Sequence, residues 1–271
     1  MVHHGACSSS TRINFLYSPK CACTSIRQLW YACHPEDMIH PTPVYYWHTI
    51  PLDYPKPNKE LPILLAVRDP FKRAVSMYNH RVCMASVHLD YFYIYAQICA
   101  YHNKMEISFL DFCIYLKHSK DNQWLGVDYH FLPQTYIPDE YKDIVSIDDF
   151  TNGKLDLIRC EKELYSQIKQ FYHKYLPEDT YKLIESRIDK FIEQPLFSNT
   201  MERGKFEDLP TDCTNINMFG WTVFPSYDRF WNPEVQAILE YVYADDYQLL
   251  GYPTSQNIPS KISSKISSKL D

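Results

Sequence analysis

Three groups of residues could do chemistry. The first is Pro19-Lys20-Cys21-Ala22-Cys23-Thr24-Ser25, where an apolar run gives way to a helical pattern. A positive amine, two hydroxyls and the N–H groups of a helix start make a seat for a phosphate, because the helix dipole adds positive potential there. This is no Walker A loop, which needs Gly-x-x-x-x-Gly-Lys-Ser/Thr; the stretch has no glycine, and Lys20 precedes the first hydroxyl by four residues. The second group is Arg68 and Ser76, eight residues apart, a fixed-charge fork and a hydroxyl. The third is His130, with Asp128 two residues before it. A histidine of near-neutral pKa suits removal of a hydroxyl proton, and a carboxylate could orient it.

The elements that must position these groups can be read from periodicity. Ile13 to Tyr17 is almost wholly apolar, a short buried strand stopped by Pro19, and from Thr24 the residues Ile26, Leu29, Trp30 and Cys33 recur at helical spacing. Ile63 to Val67 is continuously apolar, as in a parallel strand covered on both faces. After it Asp69 is a good N-cap and Pro70 a good first helical residue. Phe71, Val75 and Tyr78 form an inward stripe, which puts Arg68 at the strand's end and Ser76 on the helix's other face. Further helices are expected over 86–101, 108–117, 162–175, 180–194 and 233–247, and a strand over 155–161.

Pro-Lys-Cys-Ala-Cys-Thr-Ser followed by Arg-Asp-Pro-Phe-Lys-Arg-Ala-Val-Ser-Met-Tyr resembles the two nucleotide-binding motifs of sulfotransferases, most closely the carbohydrate (Golgi-type) sulfotransferase family. The resemblance implies that residues 19–25 hold the 5′-phosphosulfate of PAPS (3′-phosphoadenosine-5′-phosphosulfate), and that Arg68 and Ser76 hold its 3′-phosphate. Asp128-Tyr129-His130-Phe131-Leu132-Pro133-Gln134 is similar to another stretch of the family, implying that His130 is the base or contacts the acceptor. Glu161 and Glu163 both fit a family glutamate that follows a strand, and Arg203 and Lys205 fit a loop that could touch the 3′-phosphate. Tyr243 to Tyr252 resembles the family's closing segment. The likeness thus runs from about Ile13 to Tyr252.

Composition sets outer bounds. The 271 residues suffice for a large core, and the net charge of −6 gives a nucleic-acid partner no support. The nine cysteines, an odd number mostly inside apolar patterns, do not read as a disulfide framework, and Cys21 and Cys23 are too close together for a zinc pair. The connection Tyr31 to Lys59, rich in proline, histidine and aromatics, could stack on sugar rings, with His48 a minor candidate for acceptor contact. No apolar run is long enough for a leader or a membrane span. Animal members of the resembled family carry an N-terminal anchor and work in the Golgi lumen. This chain is therefore expected to be either a trimmed catalytic domain of that kind or a soluble, cytoplasmic form from a microbe or virus. Residues 1–11 are expected to be a flexible segment, 12–252 a single domain, and the serine–lysine repeat within 253–271 a disordered tail.

The expectation is thus a three-layer α/β/α fold with a mostly parallel sheet, similar to the P-loop kinase fold. It would transfer a sulfuryl group from PAPS, leaving PAP, to a hydroxyl of an acceptor, with a glycan as the implied partner and no metal. Lys20 would neutralise the leaving 5′-phosphate. Two rivals stand beside it: a nucleotide or metabolite kinase on the same fold, and a module that binds PAP(S) without turnover. The acceptor's linkage and the oligomeric state are not encoded in any motif.

Overall fold

A computed structural model describes residues 4–8, 10–37, 57–86, 89–193, 212–220 and 224–255. His48, Arg203 and Lys205 lie outside them, as do most of the aromatic connection and of the tail. The protein is α/β. The chain divides into two compact units, Met1–Arg68 with Gln134–Thr200 and Asp69–Pro133 with Met201–Asp271.

The first unit holds a sheet of four strands among the described residues, β1 (His4–Cys7), β2 (Asn14–Tyr17), β3 (Ile63–Val67) and β4 (Leu155–Arg159), lying side by side in that order. β2, β3 and β4 are parallel, with Phe15 opposite Leu64 and Leu64 opposite Asp156. Every residue of β2 and β3 is buried, which is why their sequences are apolar without alternation apart from Asn14 at the start of β2. One face, Phe15, Tyr17, Leu64, Ala66 and Ile158, packs with Ile26, Leu29 and Trp30 of α1 (Cys23–Cys33), Ile168 and Phe171 of α5 (Leu164–Tyr175), and Ile184 and Ile188 of α6 (Glu178–Glu193).

Within the segment 1–11, expected from sequence to be flexible, the described residues His4–Cys7 form β1. It pairs antiparallel with β2, Cys7 opposite Asn14. Ser8 N–H donates to the Ile13 carbonyl at 3.0 Å, and Ser8 Oγ lies 3.3 Å from Nδ1 of His34. His34 is fully buried, its ring tilted against Trp30 with centroids 4.3 Å apart, and 2.8 Å from the Tyr172 hydroxyl. No apolar run announces β1 because four residues on the sheet's edge need only one partner strand.

The second unit is helical: α2 (Pro70–Arg81), α3 (Leu89–His102), α4 (Phe109–Asp121), α7 (Pro233–Val242) and α8 (Ala244–Leu249). Asp69 caps α2, accepting from Lys72 N–H at 2.9 Å, and Pro70 opens it, as its sequence requires. Its buried surface is wider than the Phe71, Val75 and Tyr78 stripe, since Arg73, Ala74 and Met77 are also fully buried. The less buried positions Lys72, Ser76, Asn79 and His80 recur at helical spacing and form the remaining face. An aromatic core gathers Phe71, Tyr78, Phe109, Phe112, Phe131 and Phe230. The helix expected over 233–247 breaks at Tyr243, which leaves helical geometry (φ −111°, ψ 35°). Its buried hydroxyl donates to the Phe131 carbonyl at 2.8 Å.

Candidate functional site

The turn between β2 and α1 compensates for its missing glycines by straining other residues. Lys20 (φ 67°) and Ala22 (φ 54°) both adopt the left-handed conformation, which costs about 1–2 kcal/mol at each non-glycine. Such strain persists only where the surroundings over-determine it. Several groups do so here. Cys21 N–H donates to the Ser18 carbonyl at 3.2 Å and Ile26 N–H to the Ala22 carbonyl at 3.0 Å. Arg68 Nη1 donates to the Lys20 carbonyl at 2.9 Å. A left-handed residue just before right-handed helical ones turns successive N–H groups toward one spot, the backbone concavity that favours anions. No side chain caps α1, and no acidic residue lies in its first turn. Thr24 and Ser25 are half-buried on that turn.

Gln134 is the residue whose role sequence reasoning missed in this unit. It is buried, and its side-chain amide pairs with the backbone of Arg68 as a neighbouring strand would. Arg68 N–H donates to Oε1 at 2.8 Å, and Nε2 donates to the Arg68 carbonyl at 2.7 Å. The Cys21 thiol donates to the same Oε1 at 2.9 Å. One side chain thus ties the end of β3 to the β2–α1 turn. Gln167 repeats the device at the end of β4, its amide pairing with the N–H and carbonyl of Arg159, each at 3.0 Å. Asn14 does the same for Asn58, at 2.8 and 2.6 Å. No local sequence signal marks these amides: Gln134 lies 66 residues from Arg68, and its role exists only once the fold brings the two together.

Of the two glutamates that fit one family position, Glu161 is half-buried after β4, while Glu163 is exposed and opens α5 at φ 38°. All nine cysteines are free thiols. Burial pushes the Cys33 thiol up to about 12 and Cys160 well above the ordinary thiol value, so both stay protonated at neutral pH. Among the described residues no cluster of three His, Cys, Asp or Glu side chains could hold a metal, and no helix is long and apolar enough to cross a membrane.

In the second unit His130 sits on a short 3-10 turn, Tyr129–Phe131, capped by Asp128. Asp128 Oδ1 lies 2.6 Å from the His130 backbone N and 2.6 Å from its Nδ1. The cap thus turns the Asp128 carboxylate toward the imidazole. Burial pushes the Asp128 carboxyl up, but the His130 hydrogen bonds and the Arg81 charge outweigh it and hold the group below the usual carboxylate value. Arg73 fixes the turn's backbone, with Nη2 donating to the His130 and Leu132 carbonyls at 2.9 Å each. Arg81 Nη2 lies against both ring nitrogens, 2.7 Å from Nδ1. Arg73 occurs in the motif around Ser76 but carried no assignment there, and Arg81 follows that motif by three residues. Lys20 and Arg68 are thus brought together in one unit, and His130 with Asp128, Arg73 and Arg81 in the other, where Ser76 is half-buried on the open face of α2.

Comparison with known proteins bears on these two clusters. The model of a family described as the sulfotransferase family matches residues 4–214. No curated protein and no solved structure matches the chain.

Proposed function

This chain belongs to the sulfotransferase family, and we propose that it transfers a sulfuryl group from PAPS to a hydroxyl of a carbohydrate acceptor. The observation that carries the reading is the strained turn at Lys20 and Ala22, braced by Arg68 and Gln134. The donor set suits an anionic phosphosulfate: backbone amides, two hydroxyls, an amine and no carboxylate in the first helical turn. PAPS supplies an activated sulfuryl group on a phosphate leaving group. The amides of 21–25 with Thr24 and Ser25 orient the 5′ end, and Lys20 offsets negative charge that grows as the leaving phosphate departs. Arg68 and Ser76 read the 3′-phosphate, and His130 takes the acceptor proton while Asp128 holds its Nδ1.

A PAP-binding module without turnover is the second reading, and the contact of Arg81 with His130 favours it. One pair of measurements decides. PAP should raise the melting temperature well above the effect of adenosine 5′-phosphate, ATP or GTP, and Arg68→Ala should lose about tenfold to a hundredfold in PAP affinity. Radiolabelled PAPS should then label a mixed glycan pool. Stabilisation by ATP or GTP but not by PAP would sink the sulfotransferase reading, and PAP binding with no label transferred would leave the module.

A further inference from the structure

From Tyr91 to Asn103 the chain has no Asp, Glu, Lys or Arg; Asp90 precedes that run and Lys104 follows it. The run is most of α3 (Leu89–His102). Ile94, Tyr95, Ile98 and Cys99 are buried, with Tyr95 stacked on the Phe219 ring. Phe92, Tyr93, Ala96, Gln97, Ala100 and Tyr101 are offset from those four by two residues, which puts them on the opposite side of the helix. There Phe92 is 49% exposed, Tyr93 69% and Tyr101 41%, and Met105, just past the helix end, is 66% exposed. Apart from two tyrosine hydroxyls, Gln97 supplies the only polar group of that side. A surface helix turns polar residues outward, whereas a helix apolar all round is a covered one.

The outer rings are braced from within. Tyr101 lies 5.6 Å from the Tyr115 ring and 4.4 Å from that of His118, and Phe92 lies 6.3 Å from Tyr95. Side chains already held in place lose little rotamer freedom when covered. Anionic headgroups and nucleic acid call for lysine or arginine, and the run offers neither.

The outward side is instead its own complement. Two copies can lay α3 antiparallel with the two-fold axis passing between Ala96 and Gln97. Tyr93 of each copy then lies against Ala100 of the other, a ring over a methyl group. Ala96 meets Ala96, which lets the helices approach closely. The two Gln97 amides face each other, and each is both donor and acceptor. A two-fold interface requires this kind of self-complementarity. The size agrees. At about 150–250 Å² for a whole aromatic side chain, the exposed parts of the three rings come to on the order of 300 Å². Met105, Ala96, Gln97 and Ala100 bring each copy to roughly 500 Å², so a pair covers on the order of 1,000 Å², the least that a specific interface needs. We infer that the outward side of α3 is an interface between two copies of this chain, paired antiparallel as a reversible dimer. The inference does not depend on the sulfotransferase reading.

The test uses the full chain. Sedimentation velocity over about 1–100 µM should show a monomer–dimer equilibrium. Tyr93→Glu sets two like charges into the covered side and should weaken the dimer by more than about tenfold. The exposure of Tyr93 means that the melting temperature of the dilute variant should match the wild type. Ala100→Glu should act in the same way. Gln97→Cys should be joined between two copies by a short bismaleimide, whereas Gln248→Cys, exposed on α8, should give no more linked dimer than the wild type. A monomer over the whole range overturns the inference. So does a dimer that Tyr93→Glu and Ala100→Glu leave intact, or one that Gln97→Cys does not trap. Co-sedimentation of a monomeric wild type with phosphatidylcholine vesicles, lost in Tyr93→Glu, would also overturn it and assign this side of α3 to a lipid surface.

Discussion

At the scale of residues, the turn at 19–25 shows how a left-handed strand-to-helix turn is built without glycine. Left-handed Lys20 and Ala22 take the conformations that glycine would adopt freely, and the strain is met by bonds from Arg68, Ser18 and the Cys21–Gln134 pair. Lys20, Thr24, Ser25, Arg68 and Ser76 could be proposed from sequence because they are the residue types that phosphate chemistry uses. Gln134 and Arg81 could not, because their roles exist only once a strand end or an imidazole has been put beside them. If Lys20 meets charge that grows during transfer, its amine matters more in the transition state than in the bound nucleotide. Lys20→Ala should then lower kcat on the order of a hundredfold while PAP affinity falls by about tenfold. Steady-state kinetics beside calorimetric titration of PAP checks this. An unchanged kcat with a raised KM would reduce Lys20 to a plain phosphate contact.

At the scale of elements, β3 and α2 could be read to the residue, since an apolar run, an Asp cap and a Pro at the first turn are local signals. β1 and the break at Tyr243 could not, since one needs a partner strand and the other a distant carbonyl. α4 starts where Ser108 predicts it, in a reciprocal cap: Asp111 N–H donates to Ser108 Oγ at 3.2 Å and Ser108 N–H to Asp111 Oδ2 at 2.8 Å. Lys104 joins at 2.8 Å. Burial pushes the Asp111 carboxyl up, yet the bonds from Lys104 and Ser108 prevail and its pKa lies below the ordinary value. A carboxyl depressed in the folded state adds stability above its unfolded pKa and loses it as pH falls through the folded one. The advantage of the wild type over Asp111→Asn in urea denaturation should thus be full near pH ~6 and fade below about pH 4. Ser108→Ala should cost about 1 kcal/mol at neutral pH. A difference between wild type and Asp111→Asn that does not change with pH would remove the charge from the explanation.

At the scale of the whole molecule, the family match and the foldable chain have different ends. The match stops at residue 214, but α7 and α8 lie beyond it, and α7 packs on α4. Phe230, Val235, Leu239, Val242, Tyr243 and Tyr247 are buried in the second unit. Each large side chain taken from water contributes about 1.5–3 kcal/mol, and a whole domain is stable by only about 5–15 kcal/mol. Removing residues 215–271 therefore exceeds the margin, and it also strips the Phe131 carbonyl of the Tyr243 hydroxyl on the turn that carries His130. Removing 256–271 is a different operation. The serine–lysine repeat has too few apolar residues to bury, and the contact of Ser255 with Glu240, at 2.7 Å, is kept. The shorter deletion should leave stability within about 0.5 kcal/mol of the full chain and leave PAP binding unchanged. The longer one should yield no cooperative melt, even though it retains every residue assigned to the nucleotide. Thermal denaturation of the two truncations beside the full chain reads both outcomes at once. A cooperative transition in the chain ending at 214 would show that the matched segment folds by itself and that α7 is an accessory to the second unit's core. A loss of stability on removing 256–271 would show that the repeat has a structural partner and is no free tail.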